Sequence, residues 1–189
     1  MSIFNEIFEK SKENKELIGI TKYSDEDSFW CGYVIEHNET LLKIQHYTKY
    51  GKLDGLMIFN VNDIKSLDFN DDYCKSMQVV IDYCNELEKE ESINLPLPNT
   101  EDWNFQILKY MESNYDEITS VEINNSDYFT GFIATVSETH FIVQCVGKTG
   151  ENEGTSSFKI EDVTGFQIND IDNRKRALLY KWRTATYKS

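Results

Sequence analysis

Only two prolines occur in 189 residues, Pro96 and Pro98, and both fall between Ser92 and Thr100. Elsewhere the chain can run through regular elements without a locked φ, and the stretch that holds both prolines reads as a linker. Cysteine is almost as scarce. Cys31, Cys74, Cys84 and Cys145 form no C-x-x-C pair, which excludes the common zinc-site spacings. Basic charge is short as well: 19 Lys and Arg stand against 33 Asp and Glu, a net of −14. All three arginines (Arg174, Arg176, Arg183) lie in the last sixteen residues, where six basic residues meet no acid. The remaining body holds 13 basic and 33 acidic residues, a net of −20. Such a body repels phosphate backbones and anionic lipid and attracts basic partners. No run approaches the ~18 apolar residues of a membrane span. The first ten residues carry acids where a secretory leader needs bases and an apolar core, so a cytoplasmic protein is expected.

What the chain does contain is a repeat. From Gly32 onward the text returns 99 residues later without a gap. Eleven of the 49 positions from 32 to 80 are identical, among them Gly32/Gly131, Glu39/Glu138, Gln45/Gln144, Gly51/Gly150, Gly55/Gly154, Phe59/Phe158, Asp63/Asp162 and Asp71/Asp170. Average residue usage would give about three by chance. The chain is thus a tandem duplication, with predicted units at 1–92 and 100–189 joined by a linker at 93–99. The cysteines are not repeated: Cys31 aligns with Thr130 and Cys74 with Asn173. A disulfide framework older than the duplication would appear twice, so the four read as reduced thiols.

Each unit is expected to be mainly β with flanking helices, an α+β class. Ser2 can cap a helix from Ile3 that presents Ile3, Phe4, Ile7 and Phe8 on one face. Alternation then predicts strands at 17–23, 29–37, 41–47, 56–61 and 64–69, with a polar turn at 24–28 and a hairpin loop at 49–55. Asn70-Asp71 can cap a second helix lined by Met77, Val80, Cys84 and Leu87. The second unit repeats the order, from a helix beginning near Trp103 through strands at 118–123, 128–136, 141–146, 155–160 and 163–168. For 174–182 helix and strand both remain open. Five short strands with a glycine in the second suggest a small closed barrel, bent at Gly32 and Gly131.

The run Gly32-Tyr33-Val34-x-x-x-Asn38-x-x-Leu41-Leu42-x-Ile44 resembles the first motif of the Sm-like fold, and Gly131-Phe132-Ile133-x-x-x-Ser137-x-x-x-Phe141-x-Val143 repeats it less fully. The resemblance spans roughly 15–70 and 115–168 and implies two tandem five-stranded Sm-like barrels, each with an N-terminal and a C-terminal helix. It also implies an RNA-associated regulator as one function. The family's second motif, basic or polar in its RNA binders, is replaced here by Phe59-Asn60-Val61-Asn62-Asp63 and Phe158-Lys159-Ile160-Glu161-Asp162.

Candidate chemistry is sparse. His37, His46 and His140 are not repeated. The shared acids sit at turns, where carboxylates satisfy backbone donors. Lys49-x-Gly51 and Lys148-x-Gly150 lack the Gly-Lys-Ser/Thr spacing and following helix of a phosphate loop. Phe29-Trp30 and Tyr128-Phe129 could stack bases, but in a duplicated β unit they serve the core more readily. No catalytic, metal or cofactor site is expected, and the chain is taken as non-enzymatic. The first functional reading is a protein-binding module, immunity- or antitoxin-like, that masks a basic protein partner with an acidic, aromatic-rich surface. Its candidate contacts are Glu36, His37, Glu39, Asp54, Glu138, Glu151 and Glu153. Nucleic acid could approach only the basic tail, 174–188. A membrane partner is not expected, and a monomer or small homo-oligomer is.

Overall fold

The computed structural model describes residues 3–89, Leu95 and 102–186, and of residues 25–27 the backbone only. The linker predicted at 93–99 lies, apart from Leu95, outside the described residues. The chain divides into two compact units, residues 1–84 and 85–189. In the first, α1 (Ile3–Asn14) precedes β1 (Ile18–Lys22), β2 (Asp25–His37), β3 (Leu41–Tyr47), β4 (Leu53–Asn60) and β5 (Ile64–Phe69), and α2 (Asp72–Asp82) follows. A four-residue helix, α3 (Cys84–Leu87), stands at the division. The second unit runs α4 (Trp103–Ser113), β6 (Thr119–Ile123), β7 (Asp127–Val136), β8 (His140–Val146), β9 (Asn152–Lys159), β10 (Val163–Ile168) and α5 (Ile171–Thr186). The class is α+β, with two five-stranded antiparallel sheets and five helices among the described residues. The open question at 174–182 resolves as helix. Among the described residues no helix is long and apolar enough to cross a membrane.

The expectation of closed Sm-like barrels is corrected. The sheets are ordered β4-β3-β2-β1-β5 and β9-β8-β7-β6-β10. Among the described residues their end strands do not pair, so each sheet stays open. Gly32 and Gly131, predicted to bend a barrel, have a different reason to lack a side chain. A Cβ at either would strike the carbonyl oxygen of Gln45 or Gln144 on the neighbouring strand. They permit close approach of β2 to β3 and of β7 to β8, which needs no closure.

The duplication is visible in the irregularities. Register shifts fall between Val34 and Glu36 and between Ile133 and Thr135, and again between Gln45 and Tyr47 and between Gln144 and Val146. The predicted loop at 49–55 is shorter than expected, because β4 begins at Leu53 and carries Gly55 inside it at φ 82°. One hairpin differs. Ile18 pairs with Gly32, but Thr119 pairs with Gly131, so the first unit's β1–β2 hairpin is two residues longer and the offset before it is 101 residues.

Each unit buries its own core. In the first, Phe8 of α1 is fully buried against Ile18, Ile20, Val34, Leu42, Ile44, Phe59 and Ile64. Phe4 and Ile7 pack at its margin, while Ile3 is exposed. In the second, Ile107, Leu108 and Met111 of α4 cover Val121, Ile133, Phe141 and Val143. The duplicated aspartates cap the closing helices: Asp71 accepts from the Cys74 amide at 2.7 Å and Asp170 from that of Asn173 at 3.0 Å.

Candidate interaction surface

The first unit's sheet has one face against the core beneath α1; α2 covers part of the other, where the Tyr33 hydroxyl donates to Gln78 Oε1, and leaves its β3–β4 side open. Leu42, Ile44 and Phe59 point inward and are buried, so Leu41, Lys43, Leu56 and Ile58 point the other way. Across the strands Glu36, Lys43 and Ile58 stand in one row, and Tyr33, Gln45 and Leu56 in the next. Leu53, paired with Tyr47, extends the outer face along β4. The result is an exposed apolar edge: Leu53 is 68% exposed, Leu56 53% and Ile58 64%, with Leu41 and Ile35 exposed beside them. β4 is also an end strand, so among the described residues its outward backbone groups have no sheet partner.

The second unit has the same frame and different chemistry there. Positions 99 residues on from Ile35, Leu41, Leu53, Leu56 and Ile58 are Ala134, His140, Asn152, Thr155 and Ser157. Glu36 and Lys43 give way to Thr135 and Ile142, again paired. The apolar edge therefore belongs to one copy only.

The predicted contact residues divide. Glu36 is exposed on this outer face with its carboxylate 4.0 Å from Lys43 Nζ. Glu39 is exposed in the β2–β3 turn, and Asp54 near the start of β4 holds His46 Nδ1 at 3.3 Å. Glu36 and Glu39 flank the apolar edge, whereas Asp54 points to the opposite face with His46, whose ring packs on Trp30. His37 turns inward instead: its side chain is 9% exposed, its ring lies 5.3 Å from that of Phe8, and Nε2 meets Glu9 at 2.9 Å. In the second unit Glu138 and Glu153 are exposed. Glu151 is held within its hairpin, accepting from the Thr149 amide at 2.9 Å and its hydroxyl at 2.7 Å. Burial raises its pKa, but these bonds outweigh burial and leave the net shift downward, with Arg183 adding to it. The apolar members of the edge were missing from the predicted set. The signal was present in the alternation Leu56-x-Ile58, which carries apolar residues on the face that Met57 and Phe59 do not use.

The second unit also has an open groove of about 730 Å³. Glu138, His140, Lys159 and Glu161 line it, with Asn104 at the start of α4. Lys159 Nζ holds Glu161 at 2.9 Å, and this hydrogen bond raises the lysine pKa and lowers the carboxyl's. Both groups are thereby kept charged, the opposite of what proton transfer near neutrality requires. Among the described residues no three His, Cys, Asp or Glu side chains converge as metal ligands.

The three arginines of the basic tail are drawn into the fold. Arg174 donates to the Leu87 and Asn169 carbonyls, Arg176 to that of Val146 at 2.7 Å, and Arg183 to that of Thr149 at 2.7 Å. Compared with known protein families, curated proteins and solved structures, the chain matches none.

Proposed function

We propose that this protein is a non-enzymatic protein-binding module whose docking surface is the outer edge of β2, β3 and β4 in the first unit. The observation that carries the reading is the exposed run Leu53, Leu56 and Ile58 on an end strand, an arrangement that the otherwise matching second copy replaces with Asn152, Thr155 and Ser157. An apolar centre with a charged rim is the common anatomy of a protein interface. An end strand adds a second means of recognition, because an extended segment can pair with its backbone while alternate side chains meet Leu56 and Ile58. The rim acids Glu36 and Glu39, on a body of net −20, favour a basic partner with apolar side chains at alternate positions. Masking such a partner is the work of an immunity- or antitoxin-like protein. The three arginine side chains on carbonyl oxygens give the RNA-binding reading no support.

The experiment is affinity capture from the cells that produce the protein, comparing the natural chain with a Leu56→Asp/Ile58→Asp variant and with a matched Thr155→Asp/Ser157→Asp variant. A basic protein is expected to be retained by the natural chain and by the second-unit variant, to be lost by the first-unit variant, and to elute as salt is raised. All four substituted residues lie outside the buried set, so circular dichroism should show all three proteins folded. Retention of the same proteins by both variants, or capture of nucleic acid in place of protein, refutes the reading.

A further inference from the structure

Gly19 of β1 stands between Cys31 of β2 and Asp68 of β5 in the registers of the first sheet. Residues paired across antiparallel strands project to the same face, so this row has a gap at its centre. Cys74, in the first turn of α2, comes down beside it. Its sulfur lies 3.9 Å from the Asp68 carbonyl oxygen and is hydrogen-bonded to the thiol of Cys31. Both cysteines are buried.

The second unit shows how the same place is otherwise filled. There Ser120 stands between Thr130 and Gln167. Its hydroxyl lies 2.8 Å from Thr130 Oγ1 and donates to Asn173 Oδ1 at 3.0 Å, and Asn173 Nδ2 donates to the Gln167 carbonyl at 2.9 Å. Thr130 corresponds to Cys31, Ser120 to Gly19, Gln167 to Asp68 and Asn173 to Cys74. One unit thus joins its closing helix to its sheet through a three-residue hydroxyl and amide relay. The other has a thiol at each end of that relay and a hydrogen atom in its middle, so the two sulfurs face each other directly. A Cβ at Gly19 would strike the ring of Phe29, which meets Tyr73 edge-on at 5.0 Å. Both rings are partly exposed. Burial, together with the two sulfurs, pushes the Tyr73 hydroxyl up to about 12.

We propose that Cys31 and Cys74 form an oxidisable dithiol, a modification site at which hydrogen peroxide joins α2 to β2 by a disulfide. One thiol, as its thiolate, attacks a peroxide oxygen; the O–O bond breaks, giving a sulfenic acid and a hydroxide that leaves as water. The second sulfur then attacks the sulfenic sulfur, the S–O bond breaks, and the second thiol's proton leaves with the hydroxyl as water. Two thiols and one peroxide become one disulfide and two waters. The hydrogen bond to Cys31 and burial both push the Cys74 pKa upward.

The test treats the natural chain and a Cys84→Ser/Cys145→Ser variant with hydrogen peroxide and measures intact mass and linked peptides. The expected result in both is a loss of about 2 Da in a monomeric species, a tryptic link between the Cys31 and Cys74 peptides, and reversal by dithiothreitol. Cys31→Ser and Cys74→Ser should each abolish the mass loss. A gain of oxygen mass without that loss, a link through Cys84 or Cys145, or persistence of the loss in Cys31→Ser overturns the proposal. So does an unchanged mass under peroxide that oxidises the urea-unfolded chain. The natural chain keeps the result decisive should the serine variant fold poorly.

Discussion

Gly51 and Gly55 are repeated with equal fidelity, yet their surroundings differ. Both adopt left-handed backbone, at φ 78° and 82°, as do Gly150 and Gly154. A Cβ on Gly51 would enter the α2 backbone at Val80 and Ile81, and one on Gly150 the α5 backbone at Leu179 and Tyr180, whereas Gly55 and Gly154 face open space. Gly55→Ala should therefore cost about 1 kcal/mol, the ordinary penalty of the left-handed region. Gly51→Ala should cost at least about 2 kcal/mol more, since a backbone must also move. Urea unfolding of the two variants compares them directly; equal losses would mean that the hairpin does not press on its helix. Identity in the repeat reveals that a glycine is needed, but φ and crowding leave the same mark on a sequence. His37 shows a second limit. Plain alternation from Val34 places it outward among acids. The extra residue, Ile35, reverses the phase, so Glu36 pairs with Lys43 on the outer face and His37 pairs with Leu42 on the inner. The buried Val136 at the matching place in the other copy is the one clue that was legible.

Strand positions were largely readable because a half-buried strand must alternate, and the repeat supplied each pattern twice. The closing helix was less so. Its charges left pairing with the acidic body, docking of a partner and contact with nucleic acid all open, while α5 lays its guanidinium groups over carbonyl oxygens at the ends of β8 and the β8–β9 hairpin. Charge is visible in a sequence, but the acceptor that uses it is not. Arg176→Ala should destabilise the second unit by about 1.5–3 kcal/mol, the usual worth of a hydrogen bond to a charged donor. Arg176→Lys should recover only part, because an ammonium lacks the planar fork that reaches Val146. Chemical unfolding followed by a probe in the second unit reads both; a neutral alanine variant would show the contact to be incidental.

Taken whole, the chain was legible as a duplication and as two β-rich units, but not as open sheets. Periodicity sets the number of strands and the faces they show; it carries no record of whether the first and last members of a sheet meet. The ionisation of the second unit gives a further expectation. Glu112 accepts from Lys109 at 2.7 Å and from the Val136 amide at 2.8 Å, and these contacts, the lysine first, lower its pKa from the ordinary 4.5. Glu151 is lowered by its hairpin bonds as described. A depressed folded pKa contributes stability that is complete above about pH 4.5 and lost as the pH falls through the folded value. Glu112→Gln/Glu151→Gln should thus be less stable than the natural chain at neutral pH and should show a shallower decline below pH 4.5. Urea midpoints measured across that range would reveal it, and parallel curves would contradict it. The unlike outer faces of β4 and β9 have a consequence for valency. Two intact copies of a binding edge on one chain would let a second contact form at the high local concentration that a tether provides. Five side chains remove that option, so the proposed module is monovalent, and a target that displays its segment twice recruits two molecules rather than being gripped by one.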